Sequence, residues 1–150
     1  MRAKPIVLTL ALAALATAGL TGTANADDHQ WTYGGYRCET ASWPSPNGGR
    51  DGRVTLRSTK DSTKFARITM NNTSAGQDWW VINKTDLLLV RFSGKFFKDR
   101  RQHGSEYRRA AEPGESWRGR TTIPKGWTTQ LVAATDAGAI GACTLNTART

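Results

Sequence analysis

The sequence predicts an all-β domain, a small antiparallel β-sandwich with a barrel as the alternative. Turn-forming clusters recur roughly every eight to fifteen residues, and short runs rich in β-branched and aromatic residues lie between them. Several runs alternate apolar and polar residues, the period of a strand with one face buried. No stretch carries an apolar helical stripe longer than two turns, and no internal repeat or second domain is visible.

Taken in order, Trp31 to Cys38 reads as the first strand, with Gly34-Gly35 marking a bend. The segment Pro44 to Gly52 is a turn-rich loop. Arg53–Arg57 points Val54 and Leu56 one way, and Ala66, Ile68 and Met70 share a face opposite Arg67 and Thr69; the two runs predict a hairpin. After the polar 71–78 loop come Trp79-Trp80-Val81-Ile82 and a turn at Asn83–Asp86. Leu87-Leu88-Leu89-Val90 reads as a strand buried on both sides, continued by Phe92–Phe97 through a bend at Gly94. Lys98 to Ser116 reads as irregular, with room for one short helical turn before Pro113-Gly114. Trp117–Ile123, Trp127–Thr135 and Ile140–Asn146 complete the set. Asn71, Asn72 and Asn83 head glycosylation acceptor patterns, relevant only in a eukaryotic secretory route.

The first 26 residues carry the marks of a cleavable signal peptide: Arg2 and Lys4, an apolar run from Ile6 to Leu20, then Ala24-Asn25-Ala26 before Asp27-Asp28. Cleavage near Ala26 would release residues 27–150 as a single secreted β-domain with no transmembrane segment. Removing 26 of 150 residues leaves 124, with 19 Lys and Arg against 12 acidic residues, a net charge of +7. Such an excess favours anionic partners without naming one. The excess of Arg over Lys and the frequent Ala and Thr also fit a GC-rich bacterial genome. Cys38 and Cys143 are the only cysteines, and in an exported chain they are expected to pair, joining the first and last strands. Two distant thiols and two histidines lack metal-ligand spacing, so neither a metal nor another cofactor is expected.

No motif specifies a reaction. His29 sits close to the expected mature N-terminus, and His103 lies among Arg100, Arg101 and Gly104. His103 with Glu106 is the weak candidate pair for a small secreted hydrolase acting on a polyanion. Glu106-Tyr107, Pro113-Gly114 and Arg118-Gly119-Arg120 loosely resemble the Glu-and-Arg catalytic region of small secreted guanyl-preferring ribonucleases. Those enzymes need a histidine downstream of the arginines, and none follows His103, so the resemblance implies no activity here.

From Arg91 to Arg120 there are nine basic and four acidic residues, interleaved with aromatics. That pattern suits a polyanion, whose charges pair with cations while rings stack. Lys95, Lys98, Arg100, Arg101, Arg108 and Arg109 are the candidate charges, with Tyr107, Trp79 and Trp80 as contact rings. Consecutive strand residues face opposite ways, so one of Trp79 and Trp80 must lie outside the core or under a loop such as 98–116. The sequence thus predicts a secreted, non-enzymatic binding protein whose partner is an anionic polymer, a lipid surface or another protein. A protease inhibitor presenting the Pro44–Gly52 loop and a membrane-active β-sandwich inserting aromatic tips are further alternatives.

Overall fold

The computed structural model describes residues 32–33, 35–87, 89–103, 107–135 and 142–149. They form eleven strands: β1 Thr32–Tyr33, β2 Tyr36–Pro44, β3 Arg50–Ser58, β4 Phe65–Thr73, β5 Gly76–Asn83, β6 Val90–Lys98, β7 Arg101–Gln102, β8 Tyr107–Ala111, β9 Ser116–Thr121, β10 Thr128–Thr135 and β11 Cys143–Arg149. The all-β expectation holds. The expected signal segment, His29, Trp31 and Glu106 lie outside the described residues.

Two antiparallel sheets pack face to face. The larger runs β1-β2-β3-β4-β5-β9, and the smaller runs β11-β10-β6 with β8 and β7 along the free edge of β6. One side is bridged by the backbone pair Arg149↔Arg50. On the other side β8 and β9 approach through side chains. Strict alternation fills the space between the sheets: Val54, Leu56, Ile68, Met70, Trp79 and Val81 from the larger meet Val90, Phe92, Phe96, Leu131, Ala133 and Leu145 from the smaller. The Cys38–Cys143 disulfide crosses this core, tying the first long strand to the last across a sequence separation of 105. Closing so long a loop stabilises the fold by about 4–5 kcal/mol on the chain-entropy account.

The strands depart from expectation in six places. The described part of the expected first strand, Trp31 to Cys38, is two strands, with β1 folded back antiparallel on the start of β2. The expected 71–78 loop is strand except at residues 74–75, since β4 runs to Thr73 and β5 starts at Gly76. β2 extends to Pro44, so the expected Pro44–Gly52 loop shrinks to a turn at 45–49. The Ser45 hydroxyl and the Asn47 amide donate to the Asn72 carbonyl at 3.3 and 3.0 Å, pinning that turn against β4. The run 87–90 is not a strand buried on both sides: Leu87 and Leu89 are half-buried and β6 begins only at Val90. What occupies the preceding turn is Asn83, whose buried side chain donates to Ala111 O at 2.8 Å and accepts from Thr85 N and Oγ1. That amide is buried and hydrogen-bonded, which puts Asn83 out of reach as a glycosylation acceptor in the folded chain. The supposedly irregular 98–116 segment contributes β7 and β8, and its described residues include no helical turn. Finally, the last strand lies at 143–149, three residues later than expected.

Candidate functional site

Trp79 and Trp80 occupy opposite faces of β5, as alternation demands. Trp79 is enclosed between the sheets. Its ring stacks on Tyr107 at 4.7 Å and 8°, meets Phe96 edge-on at 5.9 Å, and its Nε1 donates to Thr121 Oγ1 at 2.7 Å. Gly94 sits directly against the indole, where a Cβ would come within 2.5 Å of the ring. The glycine expected to bend β6 therefore makes room for a tryptophan. Trp79 is a core residue rather than a contact ring. Tyr107, half-buried on it, is largely committed to the same packing, and burial pushes its phenol up.

Trp80 is 45% exposed on the outer face of the larger sheet. The described residues of the 98–116 segment do not cover it, because β7 and β8 belong to the other sheet. Cross-strand register aligns Thr69, Trp80 and Arg118 in one row and Asn71, Asp78 and Arg120 in the next. The Arg118 guanidinium lies 5.0 Å from the Trp80 ring centroid. Arg120 forks onto Asp78, with Nε to Oδ1 at 2.5 Å and a terminal nitrogen to Oδ2 at 3.1 Å, which holds that carboxyl below the usual aspartate range. Around these side chains the surface forms an open hollow of about 630 Å³.

The same outer face continues across β4, β3 and β2. Arg53 sits 5.8 Å from the Trp43 ring, and Arg57, Arg67 and Lys84 gather around Phe65 at 5.5, 4.7 and 5.9 Å. Glu39 takes both Arg37 and Arg57, at 2.7 and 2.9 Å. Arg67 donates to the Thr55 hydroxyl at 3.2 Å, and burial together with the charges of Arg53 and Arg57 pushes its guanidinium down. Arg53, Arg67, Lys84 and Arg118 have no ion pair among the described residues. The face is basic and studded with rings, and every one of those four cations rests on an aromatic ring.

The charges singled out in the sequence do not form one patch. Lys95 and Arg108 lie with Arg91 on the outer face of the smaller sheet, around a hollow of about 420 Å³ that includes Ser93. Lys98, Arg100 and Arg101 occupy the exposed β6–β7 turn, where Asp99 and Arg100 take φ of 50° and 64°. Two successive positive φ values are the mark of a tight hairpin turn. Arg109 also borders the hollow that includes Ser93 but carries its guanidinium to the seam, 4.4 Å from the ring of Trp117, itself 39% exposed. Phe96 is buried and Phe97 half-buried, so neither forms an exposed aromatic tip. His103 is exposed, its ring 5.4 Å from Trp127, and no carboxylate among the described residues pairs with it; its candidate partner Glu106 lies outside those residues.

Sequence reading missed Trp43, Arg53, Phe65, Arg67 and Arg118 because they come from strands distant in the chain. Parity was a signal for Arg53, Phe65 and Arg67, which take the phase opposite Val54 and Ile68, but Trp43 and Arg118 lie on strands without alternation and carried none. No group of three or more His, Cys, Asp or Glu among the described residues is arranged to hold a metal ion. The chain matches no known protein family, and neither curated proteins nor solved structures show a significant match to it.

Proposed function

We propose that this protein is an exported, non-enzymatic binding module that holds an anionic polymer on the outer face of its larger sheet. The observation that carries this reading is the set of four cations, Arg53, Arg67, Lys84 and Arg118, that rest on rings in place of carboxylates. A guanidinium stacked on a ring is held in place while its in-plane N–H donors remain available. Such a group pairs with a carboxylate, sulfate or phosphate without first breaking a salt bridge. Several of them on one rigid sheet fit a ligand with repeated negative charge. A disulfide across the core is consistent with an oxidising compartment.

The alternatives draw less support. A hydrolase needs a base near a second reacting group, and among the described residues none pairs with His103, whose ring lies beside Trp127. A protease inhibitor needs a protruding loop, and the 45–49 turn is bound down to Asn72.

The test is retention of the protein on an immobilised anionic polymer across a salt gradient. The triple variant Arg53→Gln, Arg67→Gln, Arg118→Gln should elute at much lower salt and show a shallower dependence of log K on log salt. Elution of the quadruple variant Arg100→Gln, Arg101→Gln, Arg108→Gln, Arg109→Gln, which removes more charge elsewhere, at lower salt than the triple variant would show that retention follows net charge and not this face.

A further inference from the structure

Resting on that reading, we infer that the polymer is an acidic polysaccharide, read at the Trp80 end of the face as a uronate-bearing sugar chain. The site consists of an exposed indole, a free guanidinium and a carboxylate that accepts hydrogen bonds, set in adjacent rows. Trp80 and Arg118 lie side by side across β5 and β9, and Asp78, Arg120 and Asn71 form the next row. Rows two residues apart along a strand are separated by about 7 Å, a spacing on the scale of one sugar ring. The part of the indole that Arg118 does not cover takes the apolar C–H face of a pyranose, as indoles take other flat amphipathic groups. Arg118, with no ion pair among the described residues, meets the ligand's carboxylate.

Asp78 decides between polymers. Its carboxylate is part of the hollow, with its side chain 42% exposed while it binds Arg120. A phosphate chain offers no hydrogen-bond donors on its backbone anions and is repelled by a carboxylate placed among its cations. A uronate chain carries hydroxyl donors beside each carboxylate. Asp78 accepts from those hydroxyls, and Asn71 and Arg120 serve the neighbouring oxygens. Polyphosphate matches the positive charge of the face and leaves Asp78 opposed.

The experiment measures binding of an oligogalacturonide, of inorganic polyphosphate and of an uncharged oligosaccharide to the wild type, Trp80→Ala, Asp78→Asn and the arginine triple variant. The oligogalacturonide should bind the wild type and shift its tryptophan emission. Trp80→Ala should weaken it about tenfold and Asp78→Asn about fivefold, while unchanged melting temperatures show both variants folded. Polyphosphate binding should instead tighten in Asp78→Asn, since a repulsive charge is removed. If the oligogalacturonide also tightens in Asp78→Asn, or if Trp80→Ala binds it as the wild type does, the saccharide assignment falls. Retention of polyphosphate through the three arginines would then leave the anionic-polymer reading intact. If neither polymer responds to the triple variant, that reading fails as well.

Discussion

The two outer faces of this sandwich both carry cations, and they differ in what holds them. On the smaller sheet, a run that is densely basic in sequence is dispersed by the fold: Lys95 and Arg108 face outward, Lys98, Arg100 and Arg101 crown a turn, and Arg109 leans into the seam. On the larger sheet, Arg53, Arg67 and Arg118, remote from one another in sequence, are drawn onto one surface by the order β3-β4-β5-β9. Each is fixed on a ring. Charges adjacent in a strand alternate in direction, whereas charges at matching register across strands converge. Clustering along the chain is therefore a poor guide to clustering on a sheet.

The contrast is sharpest within the dipeptide Trp79-Trp80, and the largest effect is expected there. Trp79→Ala should lower stability by about 3–5 kcal/mol, because it empties a core position packed by Tyr107, Phe96 and Gly94. Trp80→Ala should change it by about 0.5 kcal/mol or less. Denaturant unfolding of the two variants measures both. Equal losses would mean that Trp80 is as enclosed as its neighbour, and the candidate face would lose its central ring.

A smaller effect separates the faces by packing. Gly94→Ala drives a methyl group into the Trp79 ring and should cost about 1–3 kcal/mol. Thermal melts should show this loss, while affinity for an anionic polymer, measured below the melting transition, stays that of the wild type. A fall in affinity larger than the unfolded fraction explains would tie the binding face to the core rather than to the outer surface.

The smallest effect is electrostatic. Glu39 is partly buried, which works against its charge, yet hydrogen bonds from Arg57 and Arg37 hold its carboxyl below the ordinary value of 4.5. A carboxylate depressed in the folded state contributes stability that is present above its unfolded value. That contribution is lost as pH falls through the lower folded value. Stability from this pair should therefore be flat between pH 7 and about pH 5, then decline in more acidic solution, by under about 1 kcal/mol for so exposed a group. Protonation also releases Arg37 and Arg57, adding to the cation surplus of the larger face. Comparing Glu39→Gln with the wild type by melting against pH isolates the term: the difference should vanish at the acidic end. A difference that persists there would assign the loss to packing.

Most of the strand pattern was legible because alternation is written locally. Val54 and Leu56, or Ala66, Ile68 and Met70, declare a buried face without reference to any partner. The misreadings have local causes too. The leucine run at 87–90 has the composition of a buried strand, but Asn83 and Thr85 hold the preceding turn by hydrogen bonds that hydropathy does not register. β8 escaped notice because Arg108, Arg109 and Ala110 are all exposed, which erases the alternation. Of the candidate rings, Trp80 was found and Trp43 and Phe65 were not, since nothing in a single strand shows which guanidinium lies over which ring.

By itself, the sequence determined the all-β class, the pairing of Cys38 with Cys143 and the rule that Trp79 and Trp80 face opposite ways, each a consequence of local chemistry or strand geometry. Only the tertiary structure decided which tryptophan is enclosed. It also decided that β9 lies beside β5 to bring Arg118 onto Trp80, and that Arg53, Arg67 and Arg118, each over a ring, share the outer face of the larger sheet. Strand order and inter-sheet packing are set by contacts between residues far apart in the chain, and those contacts leave no periodic trace within any one segment.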